Sequence, residues 1–405
     1  MASNTNEEPS GGRPFIPAKW SPWLVALAET LIRIELSFTN RVHIRDSDLS
    51  ILRDMPRGSG MILTPNHADE MDPHICWDLA RRARKRFIFM CNREAFDEWN
   101  GAAGWGLQRL GVFSVERGGH DKPAKKFSVS VVRDGRDVLV IFPEGEIFYL
   151  NDSVQPFHSG AIDIGINAIL ERRQFEPDWN AYIIPLAIKY RYSQEMEKIL
   201  EHRVHELEVK LSRDMQGYSL RKRLSMVLAE VLQQEELKHD LQIEGDKYSE
   251  LSTRVTQVRR EILAQMELKY KGIAAAQSRT IDRAWQISAH VRELMASSKD
   301  PERKAVLEKD LSNLKEVAQM ESWQPHYWEG DPSIDRLAEA LLKMEREILH
   351  IKRPRQLAHR DVYLRVGKPI KLADYIEQFQ ADAHKVRHDV AEELRGIIQS
   401  MIDVI

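Results

Sequence analysis

The amino-acid sequence predicts an α/β fold: a largely parallel sheet flanked by helices, with a large all-α insertion. Three observations carry this. Between Ser59 and Ile188 short apolar runs alternate with helix-like stretches, the texture of strand–helix–strand units. After Tyr190 the strand signal stops, no proline occurs between Pro185 and Pro301, and apolar residues step by three and four. Near the end an alternating run returns at Asp361-Val362-Tyr363-Leu364-Arg365-Val366.

The elements follow in order. Residues 1–17 are polar, hold Gly and Pro, lack the apolar core of a signal peptide, and are expected to form a disordered leader. Residues 18–58 read as an N-terminal amphipathic helical segment. Its periodic part runs from Trp20 to Phe38 and includes Trp23, Leu24, Leu27, Leu31, Ile32 and Ile34. Two readings stay open for it: a helix packed on a core, or one lying in a membrane interface, where indole rings are favoured. Gly60 to Thr64 reads as a strand, and Pro73 to Arg86 as a helix opened by its proline. Further strands are expected at Arg86–Met90, Val138–Phe142 and Tyr182–Leu186. In the helical section Leu251, Val255, Val258, Ile262 and Met266 share one stripe, and Val306, Leu307, Leu311 and Leu314 another. The last strand leads through Gly367-Lys368-Pro369 to a helix striped by Val386, Val390, Leu394, Ile397 and Met401. The chain therefore divides into an α/β domain, 59–191 plus 359–405, and a helical insertion, 192–358. The alternative is that the final strand belongs to a separate C-terminal unit.

Composition limits the function. The chain has 405 residues, 42% hydrophobic and 30% charged, which excludes a disordered or collagen-like protein. The 59 Lys+Arg nearly balance 62 Asp+Glu, so no nucleic-acid partner is expected. Cys76 and Cys91 cannot build a disulfide framework, which fits a reducing cytoplasm. The longest run free of Asp, Glu, Lys and Arg is eleven residues, Gly58 to Ala68, against about 20 needed to span a bilayer.

The segment richest in chemistry is Thr64-Pro65-Asn66-His67-Ala68-Asp69-Glu70-Met71-Asp72-Pro73. A histidine follows a strand, and five positions on an aspartate stands at the mouth of a helix. Sites in parallel sheets cluster at such strand ends. A short loop could return Asp72 to one imidazole nitrogen, leaving the other free as a general base. Asp72 before Pro73 is also an ordinary helix N-cap, and that reading stays open. Three further runs end strands: Leu110 to Arg117, Phe142-Pro143-Glu144-Gly145-Glu146, and Ile183-Ile184-Pro185-Leu186.

In this order the four segments resemble the glycerolipid acyltransferase family that includes lysophosphatidic acid acyltransferases. The residues that carry the likeness are Asn66 and His67 with Asp72, Gly111 and Phe113 with Arg117, Phe142-Pro143-Glu144-Gly145, and Ile184-Pro185. Phe157 with Gly160-Ala161 and the run Val366 to Ile370 resemble the family's later segments. The likeness spans about Ser59–Tyr190 plus the C-terminal residues and leaves the helical section out. It implies a glycerol-phosphate-acyltransferase-like sheet. It also implies transfer of an acyl group from an acyl-CoA or acyl carrier protein thioester to a lysolipid hydroxyl. His67 would be the base and Asp72 its orienting group; Arg117 with the Glu144-Gly145 loop would hold a phosphate. No metal or redox cofactor is implied; His202 and His205 read as a solvated helix face. Peripheral contact with the cytoplasmic membrane face is expected, and the oligomeric state is left open. The basic run Arg81 to Arg86 is either a solvated helix end or a patch for lipid head groups or a carrier protein.

The sequence departs from the family pattern in two places. Asp69 stands where a serine is usual, and Glu146 and Ile147 replace a small hydroxyl residue and an arginine. Acids beside a phosphate repel it. The departures predict a non-phosphate acceptor such as a lyso-aminolipid, or a phosphate held instead by Arg93, Lys122 or Lys125. Thioester hydrolase and non-catalytic lipid-binding scaffold are the competing readings.

Overall fold

The computed structural model describes residues 13–119, 121–241, 250–351 and 353–405. Its centre is an eight-stranded sheet: β1 (Asn40–Ile44), β2 (Gly60–Pro65), β3 (Phe87–Asn92), β4 (Val112–Val115), β5 (Val138–Val140), β6 (Ala181–Tyr192), β7 (Arg360–Val366) and β8 (Ile370–Lys371). The order is β1-β7-β6-β2-β5-β3-β4, with β8 also pairing β6. The five strands from β6 to β4 are mutually parallel. β7 runs antiparallel to β6, and β1 parallel to β7. The inner strands are covered on both faces, which is why Gly60-Met-Ile-Leu-Thr-Pro reads as a continuous buried run.

One face of the sheet packs on α1 (Pro22–Thr39), α2 (Asp46–Arg53) and α3 (Asp72–Ala83), with α4 (Arg93–Asp97) and α5 (Ala102–Arg109) beyond. The other packs on α6 (Lys122–Asp134), α7 (Gly160–Arg172) and, near the end of the chain, α15 (Ala383–Asp403). Among the described residues six α-helices come between β6 and β7: α8 (Glu197–Lys210), α9 (Leu220–Lys238), α10 (Leu251–Lys269), α11 (Thr280–Ser297), α12 (Pro301–Met320) and α13 (Ile334–Ile348). They close around a core of their own, into which Phe148 and Leu150 also reach. After β8 the chain ends in α14 (Ile376–Ala381) and α15 (Ala383–Asp403). Tyr192 pairs with Arg360, so the six helices leave and re-enter the sheet at one point. The last long strand thus lies in the common sheet, paired with β6.

Three expectations need correction. The 18–58 segment is not wholly helical, because Asn40–Ile44 forms β1 beside β7. Its sequence, NRVHI, gave no strand signal because only Asn40 is buried. The expected disordered leader does not extend to residue 17. Phe15 packs against Phe113 and Phe127, and Ile16 exchanges hydrogen bonds with Ser114 at the β4 edge. Residues 1–12 lie outside the described residues. Trp20 precedes the first helix rather than starting it, and lies under the Arg86 guanidinium. Among the described residues no helix is long and apolar enough to cross a membrane.

Candidate active site

Because β2, β5, β3 and β4 are parallel neighbours, their carboxyl ends share one edge of the sheet. His67 follows β2, Phe142–Gly145 follows β5, and Arg117 follows β4. Residues scattered over the sequence meet there for that topological reason.

Asp72 opens α3, but its carboxylate makes no cap for that helix, whose N-cap position is Met71. Instead it turns back into the preceding loop. Oδ2 accepts from His67 Nδ1 at 2.9 Å and from the Asp69 backbone N–H at 2.9 Å, while Oδ1 accepts from the Tyr190 hydroxyl at 2.6 Å. Burial lifts the Asp72 carboxyl above its ordinary range, and the hydrogen bonds from His67 and Tyr190 oppose that rise. Since a carboxylate only accepts, Nδ1 carries the proton and Nε2 is left free. The imidazole stacks on Phe142 with centroids 4.0 Å apart. Its side chain is 13% exposed while Asp72 is fully buried, so only the ring reaches open space.

Glu144 acts on the same histidine from behind. Its carboxylate accepts the His67 backbone N–H at 2.7 Å and the Gln155 N–H at 3.1 Å. Burial pushes this carboxyl up to about 8. The turn that delivers it requires Gly145, at φ +76°, where an added Cβ would lie 2.9 Å from the His158 ring.

The ring of His67 faces a cleft of about 1960 Å³. Its floor is the strand edge, and its roof is α11 and α12 of the helical section. The wall is mostly apolar, with Trp77, Met90, Leu110, Ile141, Leu311 and Leu314 among its members. Its charged side chains are acidic and basic in equal number. Arg117 lies there in an ion pair with Glu146, Nη1 to Oε2 at 2.5 Å, and under the Trp285 ring at 5.1 Å. His158 receives Arg279 Nη2 on Nε2 at 2.6 Å. Burial and that guanidinium push its pKa down to about 4, so it is neutral near neutral pH.

The sequence-predicted residues divide into three groups. His67, Arg117, Phe142, Pro143 and Gly145 line the cleft. Asp72 and Glu144 stand behind His67. The other expected substrate contacts are absent from the wall. Asn66 is clamped to β6, its amide donating to Ile188 O at 3.0 Å and accepting from Ile188 N at 2.7 Å. Gly111 serves a left-handed turn at φ +85° after α5. Phe113 is fully buried against Phe15 and Phe127, and Pro185 sits in β6 opposite Thr64. Asp69 does not line the cleft either: Arg360 from β7 holds it at 2.7 Å and keeps its pKa low against the opposing effect of burial. Lys122 and Lys125 are exposed away from the wall, and Arg93 pairs with Asp97. In the basic run, Arg81 and Arg82 are paired with Asp78 and Arg86 with Asp137.

Tyr190, Arg360, His158 and Trp285 escaped the sequence reading. Tyr190 closes an apolar strand like any core residue, and nothing local marks its bond to Asp72. Among the described residues one trio of potential metal donors lies together, Glu235, His239 and Glu316, where α9 meets α12. Lys238 reaches both carboxylates and already supplies their cation.

A histidine–carboxylate pair thus stands at the strand edge of an α/β sheet, facing a large and mostly apolar cleft. Residues 47–189 match the family model Acyltransferase, so the chain carries a domain of the glycerolipid acyltransferase family. Strands β2 to β5 and most of β6 lie in the matched stretch, which supports a general acyltransferase activity, and the mostly parallel sheet is flanked by further helices beyond it. No curated protein matches the chain.

Proposed function

We propose that the protein moves a fatty acyl group from an acyl-CoA or acyl carrier protein thioester to a hydroxyl of a lysolipid. The observation that carries this reading is the free Nε2 edge of His67 facing a cleft roomy and apolar enough for acyl chains. His67 Nε2 takes the hydroxyl proton as the oxygen attacks the thioester carbonyl carbon. Asp72, braced by Tyr190, stabilises the imidazolium that results. The tetrahedral oxyanion then collapses, the carbon–sulfur bond breaks, and the leaving thiolate takes the proton back from His67.

The 1-acylglycerol-3-phosphate type of acceptor suits Arg117 as the family resemblance implies. A second reading, an acceptor without a phosphate monoester at that position, is favoured by the Arg117–Glu146 pair. Arg117 is already neutralised, and a dianion would have to displace a carboxylate from it. The pair also modifies the lyso-aminolipid idea, because Glu146 spends its charge on Arg117 and Asp69 spends its own on Arg360.

The test is thiol release from acyl-CoA with a panel of lysolipids, using wild type, Asp72→Asn and Glu146→Ser. Asp72→Asn should lower kcat by about 10²–10⁴. Glu146→Ser should raise turnover of lysophosphatidic acid relative to neutral acceptors. Fatty acid released without any acceptor would instead identify a hydrolase.

A further inference from the structure

A buried cation on the cleft wall is left largely without partners. Arg13, Arg117, Arg292 and Arg353 each face a carboxylate. Lys304 and Lys315 are exposed, where water solvates them. Arg346, in the last turn of α13, is different: its side chain is only 9% exposed. Its Nε donates to Glu347 at 2.8 Å, while Nη2 is enclosed without a partner and Nη1 has none among the described residues. Glu347 itself stands outside the cleft wall. A buried donor without an acceptor costs stability, more so on a charged group, and calls for an explanation.

The neighbour of Arg346 is a strained residue. Tyr149 has φ +52°, in the left-handed region that a bulky side chain adopts only at a cost. Two contacts hold it there. Its ring lies under the Arg346 guanidinium, 5.6 Å from the centroid, and its hydroxyl donates to Glu70 Oε1 at 2.8 Å. Glu70 belongs to the loop that carries His67, and its Oε2 takes Arg353 Nε at 2.7 Å. Arg346, Tyr149 and Glu70 all line the same cleft as His67. The Glu70 carboxylate is thus answered by Arg353 and Tyr149, and the amino edge of Arg346 is left for a group that enters the cleft.

We propose that Arg346 binds a phosphate group bearing a single negative charge, while Arg117 stays paired with Glu146. The phosphodiester of a lysophospholipid head group and the diphosphate of acyl-CoA both carry that chemistry. The choice of these substrates rests on the acyl-transfer reading; the anion site itself does not. A phosphate supplies paired oxygens to a guanidinium edge, the geometry that suits arginine. The charge fits as well. A phosphate monoester carries about −1.5 to −2 at neutral pH, whereas Arg346 offers one cation, with the Glu70 carboxylate across Tyr149 from it. A group with one charge asks for one cation. Once acyl chains fill the cleft, water cannot replace the missing acceptor, so the match is selective.

The experiment titrates the full chain by calorimetry with a short-chain lysophosphatidylglycerol that stays monomeric, the equally short monoacylglycerol, and CoA. Arg346→Met removes the charge and keeps much of the stem. Its affinity for lysophosphatidylglycerol or for CoA should fall at least about tenfold, and its affinity for monoacylglycerol should equal that of wild type. The probe that loses affinity names the source of the phosphate, and the unchanged neutral probe certifies the fold. Should the methionine variant not fold, Arg346→Gln, which keeps a donor for Glu347, carries the same expectation. The proposal is overturned if wild type binds neither charged probe, if the variant binds both as tightly as wild type, or if the neutral probe loses as much as a charged one. Binding needs no turnover, so a protein that binds in this way and releases no thiol would refute the acyl-transfer reading and leave the anion site standing. An active enzyme whose charged probes ignore Arg346 would do the reverse.

Discussion

His67 is gripped twice, by Asp72 through its ring and by Glu144 through its backbone N–H. The two carboxyls have different consequences. Asp72 receives three hydrogen bonds and is spent on the ring. Glu144 is buried with two N–H donors and no cation, and is pushed up to about 8 from an ordinary 4.5. Its folded-state pKa is thus raised, so the native protein holds a proton that the unfolded chain has released between those two values. Stability contributed by Glu144 is therefore lost as pH rises across that window. Glutamine copies the shape of the protonated acid and does not titrate. The Tm of Glu144→Gln minus that of wild type should become more positive from about pH 5 to about pH 8. Calorimetry across that range checks it, and a difference independent of pH would remove the argument. His67 and Asp72 were legible in the sequence because their bond spans five positions of one loop. Tyr190 and Arg360 were not, since strand pairing more than a hundred residues away brings them in.

At the scale of elements, strands and helices were readable where one face is buried. β7 alternates strictly and was found; β1 buries only its first residue and was missed. Stripes on the 192–358 helices showed that each packs on something. They could not show that α11 and α12 roof the cleft, because a stripe specifies burial without naming the partner. The docking of α11 depends on one glycine. Gly118, at φ +75°, lies so close beneath α11 that a Cβ would stand 2.3 Å from the Trp285 carbonyl carbon. Gly118→Ala must push α11 outward and take Trp285 off Arg117. We expect a loss of about 1–3 kcal/mol in chemical denaturation from overpacking, on top of the cost of a left-handed alanine. Gly217→Ala measures that cost alone, because Gly217 has φ +90° and open space around it. Equal losses in the two variants would mean that α11 yields freely.

Across the whole molecule, two cores meet at the loop that follows the Phe142–Gly145 turn. Phe148 and Leu150 enter the core of the six helices, while Asn151 clamps the backbone of Tyr190 on β6. The helical section holds this loop with polar groups. The Tyr327 hydroxyl accepts from Asp152 N at 2.9 Å, Arg336 binds the Asp152 carboxylate at 2.8 Å, and Gln324 donates to Gln155 at 3.0 Å. Gln155 in turn donates its N–H to Glu144, and Glu144 accepts from His67. An unbroken run of contacts therefore leads from α13 to the base, although no residue of α13 touches its ring. Tyr327→Phe breaks one link and leaves the Asp152 N–H without its partner, a cost of about 1–3 kcal/mol. Were the helical section only a stabilising annex, Tm would fall and kcat would not. The contact chain requires more: kcat for thioester turnover should fall about three- to tenfold while KM for the thioester stays close to wild type. Measured under conditions where the variant is fully folded, an unchanged kcat would show that the loop transmits nothing to His67.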